Sequence, residues 1–298
     1  MASNRFRQQV LDLFASKWPT NGRHFAVIQQ RLTVAYDKFV ADGLADPHFH
    51  TELLSNKEEC FAQRLGEIQL AARMREAGFA LSSMSAGPDL LAMKDGRSVW
   101  LELITPEPKD IPAEWINPQD AVTDFPHEKI LLRWTAAIKE KMEKGRRDLD
   151  KGILLPVDPY VVVVNDALLS PRGGALNGIS QKPIVVEATL AVGPLQIQID
   201  RNTLKSVGSG HMHRPFVINR NRAQVPADTF FDRNYGHVSA VIGTSLRMWN
   251  AGEDHWESVV AHNPQATVHV PQGFLPVEEE WACKVEPTQY TIYQVPKP

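Results

Sequence analysis

Gly87-Pro88-Asp89-Leu90-Leu91-Ala92-Met93-Lys94-Asp95-Gly96-Arg97-Ser98-Val99-Trp100-Leu101-Glu102-Leu103-Ile104 is the stretch whose reading decides the fold. Asp95-Gly96, flanked by apolar residues, predicts a two-residue hairpin turn of the kind that needs positive φ at both central positions. Pairing outward sets Lys94 against Arg97, Met93 against Ser98, Ala92 against Val99, Leu91 against Trp100 and Leu90 against Leu101. The next pair is Asp89 opposite Glu102. Asp89, Leu91, Met93, Ser98, Trp100, Glu102 and Ile104 share one face; Leu90, Ala92, Val99, Leu101 and Leu103 share the other. Apolar residues on both faces predict a central strand pair covered on both sides. Two carboxylates directly opposed across a hairpin destabilise it by up to roughly 1 kcal/mol, so this register calls for positive charge between them or a proton on one. A divalent cation meets that need, because Mg²⁺ takes one or two carboxylates and keeps several waters. A one-residue slip would send the acids to opposite faces.

The pattern resembles the PD-(D/E)xK nuclease superfamily, the restriction-endonuclease-like fold. Pro88-Asp89 matches the Pro-Asp element. Glu102-Leu103-Ile104 stands where the (D/E)-x-K element belongs, with Ile104 in the lysine position. The resemblance covers residues 58 to 165. It implies an α/β core, a mixed central sheet flanked by helices, that hydrolyses phosphodiester bonds of nucleic acid. It also implies Mg²⁺ or Mn²⁺ held by Asp89, Glu102 and the carbonyl of Leu103. In this family the helix before the core sheet often presents a glutamate to the metal, and Glu67 is the match by position. In some members the catalytic lysine has moved to another element. Lys141, ahead of Lys139, is the candidate here, with Arg133 nearby to hold phosphate.

Around the hairpin, apolar residues at helical spacing predict packing helices over 4–17, ending before Trp18-Pro19, and about 23–43. A strong helix is predicted from Lys57 to Ala77, with Gly78 as its C′ residue. Phe79-Ala80-Leu81 reads as a first strand. The segment 105–125, broken by Pro106, Pro108, Pro112 and Pro118, reads as a loop beside the site, long enough to serve as a lid. A long helix follows from Pro126 to Leu149. Arg133, Ala137 and Lys141 fall on one line of it, and Lys139, Lys144, Arg146, Arg147 and, just beyond it, Lys151 make the second half of this helix basic. Tyr160 to Val164 is a buried strand. Helix, strand, hairpin, helix, strand is the core order of the nuclease fold. The organisation expected is an N-terminal helical segment (1–56), a nuclease-like core (57–166) and a β-rich C-terminal extension packed on it (167–298). Within that extension Ser170–Gly178 reads as a loop, and Ile184–Leu190, Leu195–Ile199, Val238–Thr244, Val259–His262, Thr267–Val270 and Tyr290–Val295 read as strands. Residues 201–227 contain no acid but carry Arg201, Lys205, Arg214, Arg220 and Arg222. This reads as a flexible segment that tracks a phosphate backbone, with Arg214, Arg220 and Arg222 as substrate contacts.

The 298 residues carry a net charge of −3, so nucleic-acid binding must come from a local patch. Cys60 and Cys283 form neither a disulfide framework nor a zinc spacing. With no apolar run near ~20 residues and no secretory h-region at the N-terminus, a cytoplasmic protein without membrane contact is expected. A homodimer or a protein partner stays open. His48-Phe49-His50 and His211-Met212-His213 lack the acidic or cysteine companions of a metal site, and His262-Asn263-Pro264 reads as a turn. A binding module on the same fold, without turnover, is the alternative that the missing lysine favours. A glycosidase pair at ~5 Å finds no cluster of aromatics to line a sugar cleft.

Overall fold

The hairpin has the register its turn demands. Asp95 and Gly96 both have positive φ, 51° and 73°, and the pairing runs from Lys94 opposite Arg97 to Leu90 opposite Leu101. The computed structural model describes residues 2–17, 23–84, 86–117, 122–170, 176–287 and 289–297. Trp18-Pro19, Pro118 and most of the Ser170–Gly178 loop lie outside the described residues.

Four helices come first: α1 (Ala2–Lys17), α2 (Arg23–Ala41), α3 (Phe49–Leu53) and α4 (Glu58–Glu76). They are followed by β1 (Ala80–Ser82) and the hairpin strands β2 (Leu90–Lys94) and β3 (Arg97–Ile104). The short α5 (Ala113–Ile116) and the long α6 (His127–Asp150) lead to β4 (Tyr160–Asn165) and α7 (Ile184–Thr189). Two small hairpins follow, β5 (Val192–Ile199) with β6 (Ser206–His213), and β7 (Phe216–Ile218) with β8 (Gln224–Pro226). The chain closes with β9 (Ala240–Thr244), β10 (Ser258–His262), β11 (Glu279–Val285) and β12 (Tyr290–Gln294).

The architecture is α/β, an eight-stranded mixed sheet flanked by helices, in the order β1-β2-β3-β4-β9-β10-β11-β12. β3, β4 and β9 run parallel at its centre. β4 is buried along its whole length, and its valines alternate between two cores as a doubly covered strand must. Val161 and Val163 pack with Leu90, Val99, Leu101 and the α1–α4 layer; Tyr160, Val162 and Val164 pack with α6 and α7. The stretch 167–298 supplies β9–β12, so it extends the central sheet.

Three expectations need correction. Ile184–Leu190 is not a strand. Its first six residues form α7, started by Pro183, and all six are buried; a run covered on every side carries neither period. Thr267–Val270 is a loop, because its polar groups serve other segments: Thr267 N donates to Gly236 O (2.6 Å) and Val268 O accepts from Ser239 Oγ (2.6 Å). The basic stretch 201–227 is not a loose loop but most of two hairpins. Among the described residues no helix is long and apolar enough to cross a membrane.

Two glycines seat α6 on the sheet. A Cβ at Gly243 of β9 would stand 2.7 Å from the Trp134 ring, and one at Gly145 of α6 would stand 2.6 Å from the Tyr160 ring. The Tyr160 hydroxyl also donates to the Lys141 carbonyl at 3.0 Å. This seating fixes the height of the α6 side chains that reach the hairpin. Gly243→Ala is therefore expected to lower the unfolding free energy by about 1–3 kcal/mol in urea titration; an unchanged midpoint would contradict the seating.

Candidate active site

Asp89 lies one residue before β2, just beyond the last ladder pair, Leu90 with Leu101. Its Oδ2 accepts from Leu103 N at 2.7 Å. A β-residue's N–H and C=O point the same way, so the Leu103 carbonyl also faces the side where β2 has not yet begun. That carbonyl accepts from Gln63 Nε2 at 3.2 Å. Gly87, with φ +117°, turns the chain into Pro88-Asp89, and a Cβ there would stand 2.8 Å from Ile153 Cγ2. The site begins at a position where a side chain would collide.

Glu102 is 1 % exposed. Both its oxygens are occupied: Oε1 accepts from Lys141 Nζ at 2.6 Å and Oε2 from Lys144 Nζ at 2.5 Å. Lys144 also donates to the Gly87 carbonyl at 2.7 Å. It thereby ties the returning strand to the turn that carries Asp89. Lys141 and Lys144 project one turn apart from α6, at i and i+3. Burial works against the Lys141 ammonium, but Glu102 and then Asp89 outweigh it and hold its pKa above the ordinary lysine value. Among the described residues no ammonium is paired directly with Asp89. Burial, then Glu102 and Glu67, push it up to about 8, against the opposing pull of Lys141 and the Leu103 N–H.

α4 approaches from the opposite face of the sheet. Gln63 and Glu67, four residues apart, share one side of it. Gln63 Oε1 accepts from Thr105 N at 2.8 Å, and its Nε2 donates to Glu67 Oε1 at 3.1 Å as well as to the Leu103 carbonyl. Glu67 is buried and paired with Arg64 at 2.8 Å. Burial raises its pKa; Arg64 and Gln63 oppose this. Arg64 also holds Asp46 and Glu52, each at 2.8 Å. A cleft of about 390 Å³, lined by Arg64, Glu67, Ser83, Met84, Gly87 and Asp89 among others, opens onto Glu67 and Asp89 from this side.

Asp89, Glu102, Leu103, Glu67 and Lys141 are thus gathered at one end of the hairpin. Lys139 points away, exposed, with Glu143 3.8 Å distant. Arg133 Nε donates to the Glu107 carbonyl at 2.8 Å, beside the loop that follows β3. Arg220 is 89 % exposed, with Asp110 at 4.0 Å; Arg222 is exposed in the β7–β8 turn. Arg214 does not face solvent. Its side chain, 11 % exposed, lies beside Glu187 (3.7 Å), which also pairs with His127 at 2.5 Å. Lys144 and Gln63 were not singled out as site residues. The i, i+3 step from Lys141 and the i, i+4 step to Glu67 were the signals available for them.

Among the described residues no group of three or more His, Cys, Asp or Glu side chains is arranged to hold a metal ion. The donors that could take part are oxygens: Asp89, the Leu103 carbonyl, and Glu102 or Glu67. That hard-oxygen chemistry suits Mg²⁺ or Mn²⁺, and one or two carboxylates suffice for Mg²⁺. A cation reaching Glu102 would displace a lysine. Comparison with protein-family models, curated proteins and solved structures finds no match to this chain.

The Asp89 shift has a stability consequence. The folded chain keeps on Asp89 a proton that the unfolded chain releases near pH 4, up to about pH 8. Its contribution to stability is therefore complete below pH 4 and is lost as pH rises through 8. Asp89→Asn can still accept from Leu103 N but cannot ionise. Its urea midpoint should gain on the wild type's between pH 4 and pH 8; a constant difference across that range would contradict the assignment.

Proposed function

We propose that the chain is a divergent PD-(D/E)xK nuclease, on a restriction-endonuclease-like core, that hydrolyses phosphodiester bonds of nucleic acid with Mg²⁺ or Mn²⁺. The observation that carries this reading is Lys141 Nζ, 2.6 Å from Glu102. An ammonium from α6 stands beside the second acid of a motif whose own lysine position is Ile104. Asp89, Glu102 and the Leu103 carbonyl would hold the cation, with Glu67 on the cleft side. When bound, the cation supplies positive charge to a phosphate oxygen and lowers the pKa of an attacking water.

The chain's own residues do the rest. Lys141, kept protonated by its two acids, donates toward the water or the phosphate and stabilises the negative charge that develops. Lys144 fixes the spacing of the two acids through Gly87 and Glu102. Arg133 uses Nε on the Glu107 carbonyl and keeps the rest of its guanidinium for a neighbouring phosphate.

A second reading, a nuclease-fold module that binds nucleic acid or protein without turnover, is favoured by one feature. Both oxygens of Glu102 are held by lysines and Asp89 is held toward neutrality, so the acids are balanced without a metal.

The test is cleavage of mixed DNA and RNA substrates with Mg²⁺ or Mn²⁺. Wild type is expected to cleave, Lys141→Ala and Glu102→Gln to lose about 10²-fold or more, and Lys139→Ala to keep its rate. No cleavage by the wild type, or equal cleavage by all four proteins, would favour the second reading.

A further inference from the structure

We propose that the two hairpins between α7 and β9 are a DNA-duplex-binding surface, with the β5–β6 ribbon lying in the major groove and the basic turns of both hairpins on the phosphates. The inference rests on the nucleic-acid reading of the site and narrows its substrate to double-stranded DNA.

β5 and β6 form a sheet of their own, outside the eight-stranded sheet. Each strand has eight residues, so the ribbon reaches about 27 Å. From Leu195 to His213 no residue is buried. A free two-stranded ribbon is marginal in water, and it is also the width that the ~12 Å major groove of B-DNA admits. The narrow major groove of duplex RNA does not admit it.

The two faces differ in chemistry. Leu195, Ile197 and Ile199 lie on one, exposed by 44, 62 and 59 %, and this face would look away from the base edges. Gln196 and Gln198 lie on the other, opposite Gly210 and Gly208. Two glycines leave that face flat, so the backbone can approach the base edges and the amides can pair with adenine.

Charge decides the partner. The turns carry Arg201 and Lys205 on one hairpin, Arg220 and Arg222 on the other, all exposed. The one acid at the first turn, Asp200, is consumed locally by Thr203 N (2.6 Å), Thr203 Oγ1 and Asn202 N. The second turn is held by Asn219 Oδ1, which accepts from Asn221 N and Ala223 N at 2.9 Å each. Thus four cations stand on two structured turns, Arg220 with the exposed Asp110 at 4.0 Å, in a stretch of 27 residues (201–227) without an acid, on a chain of net charge −3. That distribution complements a polyanion rather than a second copy of this chain.

The experiment is fluorescence anisotropy of the full chain in EDTA, with labelled duplex and single-stranded DNA of one sequence, titrated with salt. Duplex should bind more tightly than single strand. Replacing Arg201, Lys205, Arg220 and Arg222 together by Ala should weaken duplex binding and reduce the slope of log K against log salt by about 3 to 4. An unchanged slope, or a preference for single strand, would overturn the proposal. So would light scattering that shows a dimer dispersed by Ile197→Lys with duplex affinity unmoved, since the ribbon would then serve self-association. Because EDTA prevents metal-dependent cleavage, these outcomes are separate from the Lys141→Ala result, which alone bears on the catalytic reading.

Discussion

A buried carboxylate held by two ammonium groups is the constraint on which the rest of the site depends. Taking Glu102 out of water costs several kcal/mol unless opposite charge compensates it closely. The hairpin places Glu102 there as a consequence of its register, so α6 must arrive with lysines at the right height. Trp134 set against Gly243 and Tyr160 set against Gly145 fix that height. Core packing several residues away therefore sets the electrostatics of the acids. Asp89, with which no lysine among the described residues pairs directly, takes the remaining strain and stays protonated well above the usual carboxylate range.

The site is built from both faces of the sheet. α6 supplies cations from one side, and α4 supplies Gln63 and Glu67 from the other. Gln63 is the link, because a single amide satisfies the N–H of Thr105 and reaches both the Leu103 carbonyl and Glu67. The parallel strands β3, β4 and β9 hold these elements together, with the acids at the end of β3 where β2 has not yet begun.

Much of this was legible in the sequence for local reasons. Asp95-Gly96 fixes a turn type, the turn fixes the register, and the register sets Asp89 across from Glu102. Lys141 was a candidate because the family resemblance allows a lysine that has moved off the strand, and helical spacing put it on one line with Arg133. Lys144 was visible only as one charge in a basic stretch, since its partner Gly87 lies 57 residues away. The strand reading of Ile184–Leu190 failed because six residues buried on all sides show no period, and Pro183 could precede either element. Arg214 counted as a surface cation because its partner, Glu187, lies in that same misread segment. β11 begins with Glu279-Glu280, an unpromising start for a strand, and owes its place to pairing with β10.

The central claim is that Asp89 and Glu102 form one electrostatic unit suited to a divalent cation. Calorimetric titration of Mn²⁺ into the wild-type chain, beside Asp89→Asn and Glu102→Gln, tests it most directly. The account predicts saturable binding at one site in the wild type, lost or weakened at least tenfold in each variant. Wild-type protein that takes up no Mn²⁺, or variants that bind it as well as wild type, would contradict it.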